Sequence, residues 1–218
     1  LCHLVSDRGP LDASTILVEG QVRTRDAAGV VSGAFEPLPL AYFRRPTPLT
    51  EASQEITALA EETAKGRRDR AALTELAAAV RGQVIPVSDD EAAASAGAAL
   101  KAGRGVSEDL AHVFITAARA LGAPARCVGG YVCPGTAASG AADDGGGFAA
   151  RAWAEVWVEE TGWVGLDPWG GGVAGPSHLR VSVGLDYRQA APIAGFWRGS
   201  ATETMRVSGL IEAQESGQ

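Results

Sequence analysis

The stretch GVSEDLAHVFITAARALGAPAR, residues 105–126, sets a hydroxyl and two carboxylates, Ser107, Glu108 and Asp109, at the start of a helical pattern. The apolar face of that pattern is Leu110, Val113, Phe114, Ala117 and Leu121, so the spacing predicts a loop feeding a buried helix. A cysteine at such a helix start is activated by the positive end of the helix dipole. A histidine on a following strand then acts as its base, with an aspartate on a third segment as orienter. A serine hydroxyl stays protonated and needs its base at the moment of attack. The chain offers three imidazoles for that task, His3, His112 and His178. His112 lies five residues along the same helix, roughly 140° around the axis from Ser107. It reads as a satisfied, partly buried histidine. His178 precedes a strand and reaches the cleft only through the tertiary fold. Ser107 has a structural reading too, as the N-cap of the helix with Glu108 and Asp109 in its first turn.

The elements around these residues follow from periodicity. TILVEGQVRTR, residues 15–25, is β-branched and partly alternating, which predicts a strand-rich N-terminal segment. YFRRPTPLT, residues 42–50, is an extended linker by its two prolines. Ile56, Leu59 and Ala60, then Leu73, Leu76, Ala77 and Val80, mark two helices. SDDEAAASAGAALKAG reads as a third, capped by Ser88 or Asp89. ARCVGGYVC, residues 125–133, is a strand, and PGTAASGAADDGGGF, residues 134–148, is a loop that either connects strands or covers the cleft. In ARAWAEVWV, residues 150–158, Arg151, Trp153, Glu155 and Trp157 share one face, and Ala152, Ala154, Val156 and Val158 the other. WVGLDPWGGG, HLRVSVG and TETMRVSGLIEA complete the strand-rich half, and the tail QESGQ is expected to fray.

Composition bounds the class of function. The 218 residues are 46% hydrophobic and 21% charged, enough for one full domain with a buried core. A net charge of −7 without a basic tract excludes a nucleic-acid surface. No apolar run approaches the length of about 18 residues that spans a bilayer. Cys2, Cys127 and Cys133 are odd in number and lack Cys-x-x-Cys spacing, against both a disulfide framework and a zinc site. A reducing, cytoplasmic compartment is the expectation, with no metal and no cofactor. Cys127 and Cys133 read as buried fillers too far apart to bond.

Three segments carry a resemblance: GRGVSEDLAHVFITAARALGAPARCVGGYV, RAWAEVWVEETGWVGLDP and HLRVSVGLDYRQAAPIAG, in this order and spacing. From about residue 16 onward the chain resembles the bacterial transglutaminase-like family of the papain-like cysteine hydrolase group. The resemblance implies an α+β fold in which a helical half, residues 50–122, packs on an antiparallel sheet, residues 125–213, with the cleft between them. VEGQVRTRDAAGVV and LPLAYFRRPTPLT look like the end of that family's N-terminal β domain, whose beginning would precede Leu1. Residues 1–45 are thus expected to be the remnant of that domain, and residues 46–215 the transglutaminase-like core.

The family carries cysteine where this chain has Ser107, histidine where it has Arg151, and aspartate where it keeps Asp167. Thr, Asn and Gly usually follow the Asp-Pro pair; here Trp169, Gly170 and Gly171 do. The resemblance also puts Trp153 at the border of the former active site, with Glu108 and Asp109 lining the cleft. A guanidinium has no acceptor lone pair and is not deprotonated in proteins, so Arg151 cannot replace an imidazole base. Losing nucleophile or base costs such a triad roughly 10⁴- to 10⁶-fold in turnover. The expectation is a catalytically inactive relative that keeps the cleft for a peptide, protein or amide ligand, with Arg151 and Asp167 joined in a bidentate ion pair. The alternative is an active amide hydrolase or acyltransferase with Ser107 as nucleophile and His178 or another group as base. The third is a purely structural module of a longer polypeptide.

Overall fold

The computed structural model describes residue 15 and residues 17–88, 92–133 and 149–195. Three helices are gathered around a fourth. Helix α1 (Gln54–Ala64) starts where the Ser53 hydroxyl accepts from the Ile56 N–H, and α2 (Arg70–Gln83) where Asp69 accepts from the Ala72 N–H. Strand β1 (Ile85–Pro86) pairs in parallel with β2 (Arg104–Gly105), and α3 (Ala96–Ala102) lies between them. Helix α4 (Ser107–Ala120) is buried on nearly every side. It touches α1, α2 and α3 on one flank and the sheet on the other.

The sheet is formed by β3 (Ala125–Val132), β4 (Ala149–Val158), β5 (Gly162–Asp167), β6 (Gly172–Val173) and β7 (His178–Gly184), in the order β6-β5-β4-β3-β7. All its pairings are antiparallel. A short helix, α5 (Tyr187–Ala190), follows β7. This is the α+β architecture expected, a helical half on an antiparallel sheet. Ala152, Ala154, Val156 and Val158 of β4, with Val164 and Leu166 of β5, face α4 and close the main core with Leu110, Val113, Phe114 and Ala117. Small residues at 152 and 154 suit a strand that meets a buried helix at close range.

The opposite face of β4 carries Trp153, Glu155 and Trp157, as its alternation requires. Glu155 is buried there between two arginines. It accepts from Arg126 Nε at 2.7 Å and from Arg180 Nε at 2.6 Å, and Arg126 also meets Glu36. The Arg126 guanidinium lies over the Trp163 ring, 3.9 Å from its centre, and Trp163 packs edge-on against Phe43. Phe43 comes from a 3-10 turn, Leu40–Arg44, in the segment expected to be an extended linker.

Three local expectations are corrected. Residues 17–25, part of the expected strand-rich segment, form no strand; Leu17, Val18 and Val22 are 77%, 83% and 63% exposed, and β propensity is not realised where no neighbouring strand takes the backbone. Further on, Val30 bridges to Val164 of the sheet, with Gly29 O accepting from the Gly165 N–H and the Val31 N–H donating to Trp163 O. Helix α3 begins after Ser95, whose hydroxyl accepts from the Ala98 N–H, rather than at Ser88 or Asp89. Cys127 is fully buried but Cys133 is only partly so. The segments 134–148 and 202–213, predicted as loop and strand, and the tail 214–218 lie outside the described residues, as does His3.

Candidate functional site

The site is built where the first turn of α4, the start of β4, the end of β5 and the start of β7 come together. Ser107 is the first residue of α4, not its cap; the N-cap position is Val106. The capping work is done by Asp109, which is 2% exposed. One of its oxygens accepts from Val106 N–H at 3.0 Å, the other from Ala93 N–H at 2.9 Å. This leaves the Ser107 hydroxyl free to reach across to the sheet, where its oxygen accepts from the Ala152 N–H at 3.1 Å. Ser107 thereby stands beside Arg151 and ties α4 to β4.

Asp167 ends β5 and is 3% exposed. Its Oδ1 accepts from Gly170 N–H at 2.9 Å, and its Oδ2 lies 3.2 Å from Nε2 of His178. The other ring nitrogen of His178, Nδ1, accepts from the Gly175 N–H at 3.2 Å and lies 3.2 Å from the Ser177 hydroxyl. An Nδ1 that accepts from a backbone N–H carries no proton, so the neutral ring places its proton on Nε2 and donates it to Asp167. The edge of Trp153 meets the same imidazole, with ring centres 5.2 Å apart.

Arg151 does not form the expected ion pair. No nitrogen of it lies within 4.0 Å of an Asp167 oxygen; instead its guanidinium rests over the Trp169 ring, 3.5 Å from the centre. The physical reason lies in the prior claims on Asp167: the His178 ring and the Gly170 N–H already supply its hydrogen bonds, and the indole offers a cation a flat partner. Burial lowers the Arg151 pKa, and the negative charge of Asp167 works in the opposite direction. Trp169 is itself held by its Nε1–H donating to Val87 O at 3.3 Å. The glycines after it are required by closeness. A Cβ on Gly170 would stand 2.4 Å from Asp167 Oδ2, and Gly171, at φ +81°, lies against Arg81.

Together these groups wall a cavity of about 350 Å³ whose lining includes Arg81, Arg151, Asp167, Trp169 and His178. Of the residues expected at the site, the cavity gathers Arg151 and Asp167; Ser107, Trp153, Glu108 and Asp109 are not part of its lining. Glu108 is partly buried on the first turn of α4, and desolvation, aided by the Asp109 charge, pushes its pKa up to about 7. His112 is 3% exposed, its Nε2 accepts from Tyr187 N–H at 3.0 Å, and burial lowers its pKa to about 4. It is thus a satisfied core histidine, as the helical geometry requires. Arg81 and His178 are the residues that sequence reasoning underweighted. Arg81 carries no local signal beyond being a basic residue in the last turn of α2, and His178 meets Asp167 only through the fold. Among the described residues, no group of three or more His, Cys, Asp or Glu is gathered to hold a metal ion. Nor is any helix among them long and apolar enough to cross a membrane.

With α4 buried against the antiparallel sheet, the chain has a transglutaminase-like, papain-like fold. The model of the transglutaminase-like superfamily matches residues 57–168, and the chain belongs to that superfamily. An uncharacterized protein of Mycobacterium leprae (strain TN) is 29% identical over 165 residues, covering 75% of this chain and 57% of that protein. Among solved structures, the "Putative Cysteine Protease" from Cytophaga hutchinsonii superposes with a TM-score of 0.55 at 21% identity, over 77% of this chain and 55% of that one. The periplasmic domain of TgpA from Pseudomonas aeruginosa aligns at 22% identity with a TM-score of 0.43, over 63% of this chain and 49% of that one. The chain thus spans little more than half the length of the curated relative it matches.

Proposed function

We propose that this chain is a catalytically inactive member of the transglutaminase-like superfamily that uses its cleft to bind a peptide or amide ligand. One observation carries the reading: His178 spends both ring nitrogens, Nδ1 on the Gly175 N–H and Nε2 on Asp167, and so has none left to take a proton from Ser107. The Ser107 oxygen in turn accepts from the Ala152 N–H. Arg151, beside it, cannot act as a base at any pH a protein tolerates. A reacting serine needs a base within hydrogen-bond reach, and none of the groups described at this site fills that place. The three cysteines, odd in number, favour a reducing, cytoplasmic setting.

The test is labelling with a fluorophosphonate, which reacts only with an activated serine, read beside turnover of a peptide amide. The expected result is no labelling that Ser107→Ala abolishes and no turnover above buffer. Saturable labelling at Ser107 would overturn the reading in favour of an active serine hydrolase. The double substitution Ser107→Cys with Arg151→His, assayed in parallel, is expected to present a thiol that iodoacetamide alkylates while the chain stays folded. Cys127 stays unlabelled under the same conditions, because full burial raises its thiol pKa beyond the ordinary range.

A further inference from the structure

The cavity beside Trp169 holds more positive charge than its surroundings explain. In a chain of net charge −7, its described lining residues carry two guanidinium groups, Arg81 and Arg151, against one carboxylate, Asp167. That carboxylate is already met by His178 and the Gly170 N–H. Among the described residues, neither guanidinium takes part in an ion pair. Arg81 Nη1 is buried with no hydrogen-bond partner. A buried charged donor left unpaired is costly, and few such groups persist in native structures without a reason. Arg151 is held by its flat face against the Trp169 indole. Stacking of that kind fixes the plane of the cation and leaves its N–H edge for a planar, two-oxygen acceptor.

The rest of the wall narrows the guest. Pro86, Val87, Val132 and Val173 give the cavity an apolar side, while Ser88 and Ser177 add hydroxyls. About 350 Å³ is a volume at the lower end for small-molecule pockets, enough for one short apolar body with a charged head. Asp167 in the same wall disfavours a dianion and leaves a monoanion as the better match.

We propose that this cavity is a carboxylate-binding site, in which Arg81 and Arg151 clamp the anionic head of a small acid or of a peptide's C-terminus. The inference rests on the reading of the cleft as a binding site and adds the chemical class of its ligand.

The experiment follows the Trp169 indole N–H resonance, assigned with Trp169→Phe, during titration of the full chain to about 1 mM probe. The probes are acetyl-alanine and acetyl-trialanine as free acids, the same two compounds as C-terminal amides, and inorganic phosphate. Both acids are expected to shift the resonance saturably, at least about tenfold more tightly than their amides. Arg151→Gln and Arg81→Gln are each expected to weaken the acids about tenfold, with the dispersed amide spectrum showing that each variant is folded. Tighter binding of the trialanine acid assigns the site to peptide C-termini; equal binding of the two acids assigns it to small acids. Acids and amides binding alike, phosphate binding more tightly than either acid, unchanged affinity in both arginine variants, or no shift with any acid would each overturn the proposal. Equal binding of acids and amides would leave the cleft a peptide site, and Ser107 labelling tests the loss of catalysis separately.

Discussion

Asp167 holds His178 rather than Arg151: the imidazole Nε2 lies 3.2 Å from Oδ2, while the guanidinium at 151 lies over Trp169. The Asp167 carboxylate is thus engaged by a histidine of another strand. That histidine is anchored at its far nitrogen by a backbone N–H. The polar cluster at the end of the sheet therefore acts as a clasp between β5 and the start of β7.

Replacing His178 with alanine opens the clasp. Asp167, 3% exposed, then loses its imidazole donor and keeps the Gly170 N–H. Chemical denaturation is expected to show a loss of about 1 to 3 kcal/mol, the cost of leaving a buried acceptor partly unsatisfied. A change within a few tenths of that for a surface alanine would mean the contact contributes nothing to stability.

Gly170→Ala is expected to destabilise by about 1 to 3 kcal/mol, because its Cβ would fall 2.4 Å from Asp167 Oδ2 and force the loop outward. Gly172→Ala is the control, since nothing lies within 4 Å of a Cβ there. Comparing the two melting temperatures separates crowding at Asp167 from a general cost of stiffening the glycine run.

Glu155→Ala leaves Arg126, 2% exposed, with its charge uncompensated on that side and also strips the partner from Arg180. Breaking a buried ion pair from one end typically costs about 3 to 5 kcal/mol. A urea unfolding midpoint close to that of the parent would contradict the buried pairing on this face of the sheet.

Glu108 gives stability a pH dependence of a definite sign. Its folded pKa of about 7 lies above its ordinary value of 4.5, so the folded state binds the proton more tightly than the unfolded chain. Below 4.5 both states are protonated and no penalty exists; stability falls as pH rises towards 7 and is level above it. Glu108→Gln is expected to remove this part of the slope and to stabilise the chain above neutral pH by on the order of 1 kcal/mol, discounted for its partial exposure. Identical slopes for parent and variant between those pH values would refute the assignment.

Much of the scaffold was legible from the sequence because it is written in local periodicity. Leu110, Val113, Phe114 and Ala117 mark α4, and the alternation of residues 150–158 gives β4 its two faces, since three-to-four-residue and two-residue periods survive without knowledge of the fold. That Arg151 cannot serve as a base is likewise a matter of side-chain chemistry alone. Helix boundaries were less legible: Ser107, Glu108 and Asp109 all suit a helix start, and the register was decided by Asp109, whose carboxylate also takes the Ala93 N–H from outside the helix. Residues 17–25 look like strand by type, yet they form no strand.

The sequence by itself determined the class of fold and the faces of its central helix and strand. Only the tertiary structure decided who pairs with whom at the site. Residues 167 and 178 sit on strands separated by β4 and β3, so no periodicity relates them, and it is the closing of the sheet and its loops that lays His178 on Asp167. Once that carboxylate is engaged, the charge of Arg151 goes to the nearest face that can hold it, the indole of Trp169. A contest between partners for a buried group depends on distances in three dimensions, and chain order does not contain them.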